Sequence, residues 1–281
     1  MSKKILIIGL GLIGGSYAKG LTKYGYEVYA YNKNIKSINY AKENNFIVDG
    51  TDEITEIFLQ NFDRIIFSLY PKIFIEYIDK YHNYFKKGTI ISDVTGIKGA
   101  IVDKIQNKLY PDIEFIAAHP MAGKELSGVE NSDENIFINA NYIITPTDKN
   151  SKKGIDFAKE IGTALKFKKI STLSPKEHDE MIAFLSQLTH CIAISLMTCK
   201  DSLYLSDYTG DSFRDLTRIA NINENMWTEL FLMNKTALLT EIELFIQELT
   251  KLHDYIYNND EEKIKQMMKL STERRKYFNK Q

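Results

Sequence analysis

Ile5-Leu6-Ile7-Ile8-Gly9-Leu10-Gly11-Leu12-Ile13-Gly14-Gly15-Ser16 decides the fold. The β-branched and leucine run reads as a buried strand, and a helix-compatible stretch follows the glycines up to Gly25. A second strand is expected over Glu27–Tyr31, so G-x-G-x-x-G sits between strand and helix, the context a dinucleotide turn requires. Gly9 permits the tight turn, Gly11 lets backbone amides approach a pyrophosphate, and Gly14 lets the helix pack close on the strand. Leu10, Leu12 and Ile13 supply the intervening backbone, with the helix N-terminus facing the phosphate charge. A merely structural glycine turn is the plainer alternative, and the flanking elements argue against it.

The second strand runs out at Asn32-Lys33, where an NAD-specific fold usually places an acid on the ribose 2′-hydroxyl. Asn32 can hydrogen-bond that hydroxyl but does not repel a 2′-phosphate. Lys33 either attracts one or is simply solvated. The cofactor is therefore read as NAD or NADP, and no metal is called for.

Outward from the turn, strands are expected at 46–48, 64–69, 89–94, 114–118, 141–145 and 165–170, separated by helical segments. That alternation implies an α/β class with a Rossmann-like, doubly wound, mostly parallel sheet. The 64–69 strand delivers Ser68-Leu69-Tyr70 to the edge where the glycine turn lies. The 89–94 strand delivers Thr95-Gly96 there, Thr95 being either an ordinary turn residue or a hydroxyl touching nicotinamide or substrate. The 114–118 strand delivers His119 to the carboxyl end of the sheet, where such folds keep their ligand crevice. Pro120 stiffens the exit, and the loop continues through Lys124 and Glu125. An imidazole and a carboxylate there suit proton handling; the alternative is a surface histidine at a strand end.

The 281 residues, 44% hydrophobic and 26% charged, suffice for one large or two smaller cores. A formal charge of -1 offers no broad field to nucleic acid or an anionic membrane, although a local basic pocket stays open. Cys191 and Cys199 stand eight positions apart in one expected helix, about 12 Å at helical rise, too far for a disulfide. They read as reduced core thiols of a cytoplasmic protein, consistent with the absence of a signal-like apolar start. The apolar stretch around 181–197 contains Gln187 and His190 and reads as too short and polar to span a bilayer comfortably.

From Ser174 the strand signals stop. Ser174, Pro175 and Glu177 form a helix start, and an apolar helix is expected to about residue 200, greasy enough to need cover on several sides. His190 lies within it, either as a core histidine or as a ligand contact. After Gly210, Arg214 and Arg218 stand one turn apart with Asp215 alongside, a spacing that suits carboxylate recognition or, more plainly, a surface ion pair. A helix over 224–257 follows, with Trp227 in its first turn and a stripe of Ile242, Phe245, Ile246, Leu249, Leu252 and Ile256, read as core or dimer seam. A last helix spans about 260–278. The domains are accordingly 1–173 and 174–281.

The glycine turn, 93–98, His119-Pro120-Met121-Ala122-Gly123-Lys124-Glu125-Leu126-Ser127-Gly128-Val129-Glu130, His190, Phe213-Arg214-Asp215-Leu216-Thr217-Arg218-Ile219-Ala220 and Trp227 follow one another along nearly the whole chain. In this the sequence resembles the prephenate dehydrogenase family, the tyrosine-branch enzymes of the shikimate pathway. The resemblance implies a nucleotide-binding domain, an all-α domain that binds substrate and forms a homodimer, and an active site between them. It implies that His119 takes the ring-hydroxyl proton while C4 gives hydride to NAD or NADP, and that Arg218 holds the substrate carboxylate lost as CO2. His190, Arg214 and Trp227 would line the substrate site, Glu125 and Asp215 would orient His119 and Arg218, and Lys124 would reach the neighbouring subunit's cleft. Two departures stand out: Gly96 replaces a common serine, and Gln187 stands where many relatives have a second histidine. Arogenate dehydrogenase is the nearest rival. A β-hydroxyacid dehydrogenase or a non-catalytic dinucleotide-binding regulator would leave His119 and Arg218 unexplained.

Overall fold

Ile5, Leu6, Ile7 and Ile8 are all buried, as expected of a strand covered on both faces. The computed structural model describes residues 3–124, 126–200 and 203–278. Its strands are β1 (Lys4–Ile8), β2 (Glu27–Tyr31), β3 (Asp49–Thr51), β4 (Arg64–Phe67), β5 (Ile90–Asp93), β6 (Glu114–Pro120), β7 (Asn141–Thr145) and β8 (Lys169–Thr172). They form one eight-stranded sheet in the order β3-β2-β1-β4-β5-β6-β7-β8. Neighbours are parallel except β6 and β7.

The helices of this part are α1 (Leu12–Lys23), α2 (Ile35–Glu43), α3 (Glu56–Leu59), α4 (Pro71–Tyr81), α5 (Gly99–Lys108) and α6 (Lys152–Ala164). Side chains alternate along β1, so Ile5 and Ile7 enter a core with α1, α2 and α6, and Leu6 and Ile8 enter one with α3, α4 and α5. Burying both faces of the central strands leaves the strand ends as the place for ligands.

Three expected strands shift. β3 forms at Asp49–Thr51 instead of 46–48, because Phe46 and Ile47 pack into the core beneath α2. β8 starts at Lys169 instead of 165: Leu165 and Phe167 are core residues, and Lys166 turns the chain at φ 59. β6 continues through Pro120, so His119 lies inside a strand, opposite Ile143 of antiparallel β7.

The helical part begins with α7 (Pro175–Ile182), capped by Ser174 and Glu177 in the expected reciprocal box. A π-turn over Ala183–Leu188 leads into α8 (Thr189–Thr198), and then come α9 (Asp211–Thr217), a 3-10 turn at Arg218–Ala220 and α10 (Glu224–Met233). The helical run Pro175–Thr198, 24 residues, is in fact long and apolar enough to cross a bilayer, an 18-residue window within it reaching a mean hydropathy of 1.5. Within that run, however, His178, Asp179 and Gln187 are buried and hydrogen-bonded to neighbouring elements of the fold. Cys199 is exposed and Cys191 half-buried, so they are free thiols but not core residues.

The chain divides into compact units over 1–234 and 235–281. The expected helix over 224–257 breaks between them at Asn234 (φ -113, ψ 27). The buried Asn234 amide donates to the Asp179 carbonyl and to Gln187 Oε1, bonds that hold the backbone out of helical geometry. The second unit consists of α11 (Lys235–Tyr257), α12 (Glu261–Arg275) and a closing 3-10 turn. On α11 the stripe residues Ile246, Leu249 and Ile256 are more than half exposed.

Candidate active site

His119 is fixed by a relay of hydrogen bonds whose direction follows from its far end. The Asp179 carboxylate accepts the Lys98 amide at 2.8 Å on Oδ1 and the Gly99 amide at 2.7 Å on Oδ2. Its Oδ1 also lies 2.8 Å from His178 Nδ1. A carboxylate so engaged only accepts, so His178 carries its proton on Nδ1 and presents Nε2 as an acceptor. His119 Nδ1, 2.9 Å from that Nε2, must therefore donate. The lone pair of His119 is left on Nε2. A Cβ at Gly96 would lie 3.7 Å from this Nε2 and 3.7 Å from Leu230, so the free nitrogen faces Gly96 and α10. Burial holds the His119 pKa well below its ordinary 6.5, with His178 and Lys98 pushing the same way. The His178 pKa is also lowered, chiefly by burial.

Beneath His119 lies a fully buried ion pair. Lys98 Nζ donates to Asp93 Oδ2 at 2.7 Å and to the Ala118 carbonyl at 2.6 Å, while Asp93 Oδ1 accepts the Ala118 amide at 3.0 Å. Register pairs β5 with β6 only as far as Ile116. Beyond it, the two charged side chains take over for backbone and clamp Ala118, the residue preceding the catalytic candidate. Thr95 is buried, and its hydroxyl donates to Asp93 and accepts from Lys98 Nζ at 3.2 Å. The hydroxyl of Thr95, expected either in an ordinary turn residue or against nicotinamide or substrate, is thus bonded into the clamp.

The glycine turn has the shape a pyrophosphate needs. Gly9 has φ 104, and a Cβ there would run into the Ser68 carbonyl and Leu69; one at Gly14 would run into the Gly9 carbonyl. Gly11 is the N-cap of α1, offers no side chain to the first-turn amides, and has open space where a Cβ would stand. The amides of Leu12 and Ile13 thus begin a helix whose N-terminus is left for an anion. Asn32 Oδ1 accepts the Leu10 amide at 3.0 Å, tying the turn to the end of β2. Lys33 is exposed beside Tyr77, and the Tyr70 hydroxyl accepts a bond from Asn223 at 3.4 Å.

The helical part is joined to the sheet edge through helix N-termini. Asp179 of α7 caps α5, and the buried Glu229 of α10 accepts the Lys72 amide at the start of α4. Both place a carboxylate where four amides lack partners, an arrangement favoured by hydrogen bonding and the helix dipole. The buried Gln187, in the π-turn, donates to the Leu230 carbonyl at 3.0 Å. One turn earlier on α10, Trp227 stacks on His190 at 3.7 Å between ring centroids, and His190 Nδ1 lies 2.8 Å from the Ser186 carbonyl.

The arginines are placed differently from expectation. α9 ends at Thr217, so Arg218 opens a 3-10 turn instead of continuing one helical face with Arg214. That turn packs against α8, the helix of His190. Arg214 bonds Asp211 at 2.6 Å and the Thr209 carbonyl at 3.0 Å; Asp215 is exposed beside it. Lys124 pairs with Asp133 at 2.9 Å, which holds that carboxyl below the usual range. Glu125 lies outside the described residues. The group on His119 Nδ1 is His178, backed by Asp179.

His178, Asp179 and Asp93 had escaped the sequence reading as site residues. Their signal was faint: His178-Asp179 falls just after a strong capping box, and its partner His119 is 59 positions away.

Residues 17–170 match the family described as prephenate dehydrogenase, nucleotide-binding domain, and residues 174–270 that described as prephenate dehydrogenase, dimerization domain. The chain is 30% identical over 273 residues to the prephenate dehydrogenase of Bacillus subtilis, covering 94% of this chain and 73% of that one. It is 32% identical over 270 residues to that of Lactococcus lactis, covering 93% and 73%. A crystal structure of prephenate dehydrogenase from A. aeolicus, in complex with hydroxyphenyl propionate and NAD+, matches with a TM-score of 0.90 at 30% identity over 99% of both chains.

Proposed function

Since the chain belongs to the prephenate dehydrogenase family, we propose that it catalyses the oxidative decarboxylation of prephenate to 4-hydroxyphenylpyruvate. The observation that carries this reading is the Asp179–His178–His119 relay, which leaves a neutral imidazole with its lone pair on Nε2 at the carboxyl edge of the sheet.

The glycine turn fits a dinucleotide: Gly9, Gly11 and Gly14 keep side chains out, and the amides of Leu12 and Ile13 receive the pyrophosphate. Leu10, Asn32 and Lys33 flank the adenosine side, and Ser68, Leu69, Tyr70 and the Thr95 backbone flank the path toward His119. NAD(P)+ supplies the hydride acceptor when bound. His119 Nε2 accepts the ring-hydroxyl proton as the ring aromatises and CO2 leaves, so the protein orients the reactants and takes up one proton. Arg218 holds the carboxylate that departs and Asp215 orients it, Glu125 helps to orient His119, Arg214, His190 and Trp227 line the substrate site, and Lys124 reaches the neighbouring subunit's cleft. His178 and Asp179 are positioning residues that keep the His119 lone pair on Nε2.

We assign residues 1–173 to nucleotide binding and 174–281 to substrate binding and homodimerisation, in a cytoplasmic enzyme. The exposed Phe184, Leu185 and Met197 of the α7–α8 run support an apolar surface that a second copy covers, as do Ile246, Leu249 and Ile256 of α11. The deciding assay follows reduced-dinucleotide absorbance with prephenate and with arogenate, each with NAD+ and NADP+. Turnover is expected with prephenate; absence of turnover with both substrates overturns the reading, and a higher kcat/KM for arogenate reassigns the substrate.

A further inference from the structure

We propose that this chain selects the 2′-phosphorylated dinucleotide, NADP+, over NAD+, with Lys33 as the residue that reads the phosphate. This rests on the dinucleotide reading above and adds to it which dinucleotide is taken.

The position that would carry an acid for the ribose diol is Asn32, and its neutral amide is already committed. Oδ1 accepts the Leu10 amide at 3.0 Å, and Nδ2 donates to the Asn34 carbonyl at 3.2 Å. An aspartate could accept the first bond but could not donate the second; its oxygen would face the Asn34 carbonyl. The loop conformation therefore calls for asparagine, and the charge that would anchor a 2′-hydroxyl and repel a 2′-phosphate is missing.

Lys33 comes next. It is exposed, and its Nζ lies 5.9 Å from the centroid of the Tyr77 ring. Among the described residues it forms no ion pair, so its charge is not neutralised by a carboxylate. The first turn of α2 contains no acid and includes the exposed Lys36. Leu10 of the glycine turn is apolar; on the α4 side Tyr77 is flanked by the exposed Glu76, by Asp79, whose carboxylate pairs with Lys108 at 3.0 Å, and by Lys80. The acids that follow in the sheet, Asp52 and Glu53, come after edge strand β3, about 5 Å farther out by strand spacing and exposed to screening solvent. A phosphate monoester brings between one and two negative charges at neutral pH. It meets a lysine here, whereas a bare 2′-hydroxyl meets a committed amide.

The test is isothermal titration of the full chain with NAD+ and with NADP+, without substrate, at low and high KCl. NADP+ should bind about ten- to hundredfold tighter at low salt, the range of one charge-assisted contact, and the gap should narrow as KCl rises. Lys33→Ala should collapse the ratio of the two dissociation constants toward one. Equal or tighter binding of NAD+ to the unaltered chain overturns the specificity while leaving the dinucleotide reading intact. Failure of both dinucleotides to bind overturns the two together. An unchanged ratio in Lys33→Ala, with unaltered melting temperature, removes Lys33 as the reader.

Discussion

At the carboxyl edge of the sheet, Asp93, Lys98, His178 and Asp179 are buried, and their polar atoms bond partners that the fold itself supplies. Along α9 and the turn that follows it, Arg214, Asp215 and Arg218 are exposed, and among the described residues Arg214's side chain bonds Asp211 and Thr209, three and five positions away. The two regions serve one proposed reaction but are built under different demands. A proton acceptor must be held neutral and aimed, which requires a dry, fully bonded surround. A carboxylate holder can stand at the surface, because water solvates a guanidinium there and a buried one would need a permanent counter-charge.

The sharpest break in this comparison is His119→Asn. Turnover should fall by about 10²- to 10⁴-fold, the usual worth of a positioned base, with dinucleotide affinity unchanged. Undiminished turnover would mean that the relay orients an idle ring. The pH behaviour follows from the depressed pKa of His119 and of His178. Both are neutral above 6.5, so kcat should be flat there, with its acid limb below 6.5. The sign for stability is the same. The unfolded imidazoles bind protons first as pH falls below 6.5, so folding stability present above that value is lost toward the lower folded pKa values. A melting temperature that rises on acidification from pH 7 to 5.5 would contradict this assignment.

Next in size is Lys98→Met, which tests whether the buried edge depends on its ion pair. Asp93 would be left buried without its counter-charge, at a cost of about 3–5 kcal/mol in urea unfolding. Pairing it with Asp93→Asn should restore part of the loss. A cost below about 1 kcal/mol would show the clamp on Ala118 to be dispensable.

These same residues show how far the chain could be read without coordinates. The glycine turn was legible because strand, turn and helix are local, and Gly9 and Gly14 answer steric demands made within a few positions or by the adjacent strand. His119 was legible as the end of an apolar run. Its support was not. Lysine is rarely buried, so nothing local marks Lys98 as the buried half of a clamp, and His178 belongs to a helix whose local signals are those of a cap. The break at Asn234 was equally hidden, since it depends on bonds to Asp179 and Gln187 some fifty positions back. Periodicity records which face is buried, not which polar atom waits on the other side.

On the exposed side of the comparison, Arg218→Ala should raise the substrate KM by about ten- to hundredfold, with little change in dinucleotide affinity or folding stability. Added salt should weaken the wild-type KM in the same direction, as screening predicts for an exposed cation. An unchanged KM would move the carboxylate site elsewhere and leave the turn after α9 a surface feature.

The smallest expected effect lies where the two regions meet. Gly96 has ordinary contacts where a Cβ would stand, 3.7 Å from His119 Nε2 and 3.7 and 3.8 Å from the Leu230 methyls. Gly96→Ser should therefore fold with stability within about 0.5 kcal/mol of the parent. The new hydroxyl can donate to the Nε2 lone pair, a bond available only to the neutral ring, so the acid limb of kcat/KM should move to lower pH. A limb that moves upward would mean that Nε2 carries the proton and Nδ1 the lone pair. The direction inferred for the whole relay, from Asp179 outward, would then be reversed.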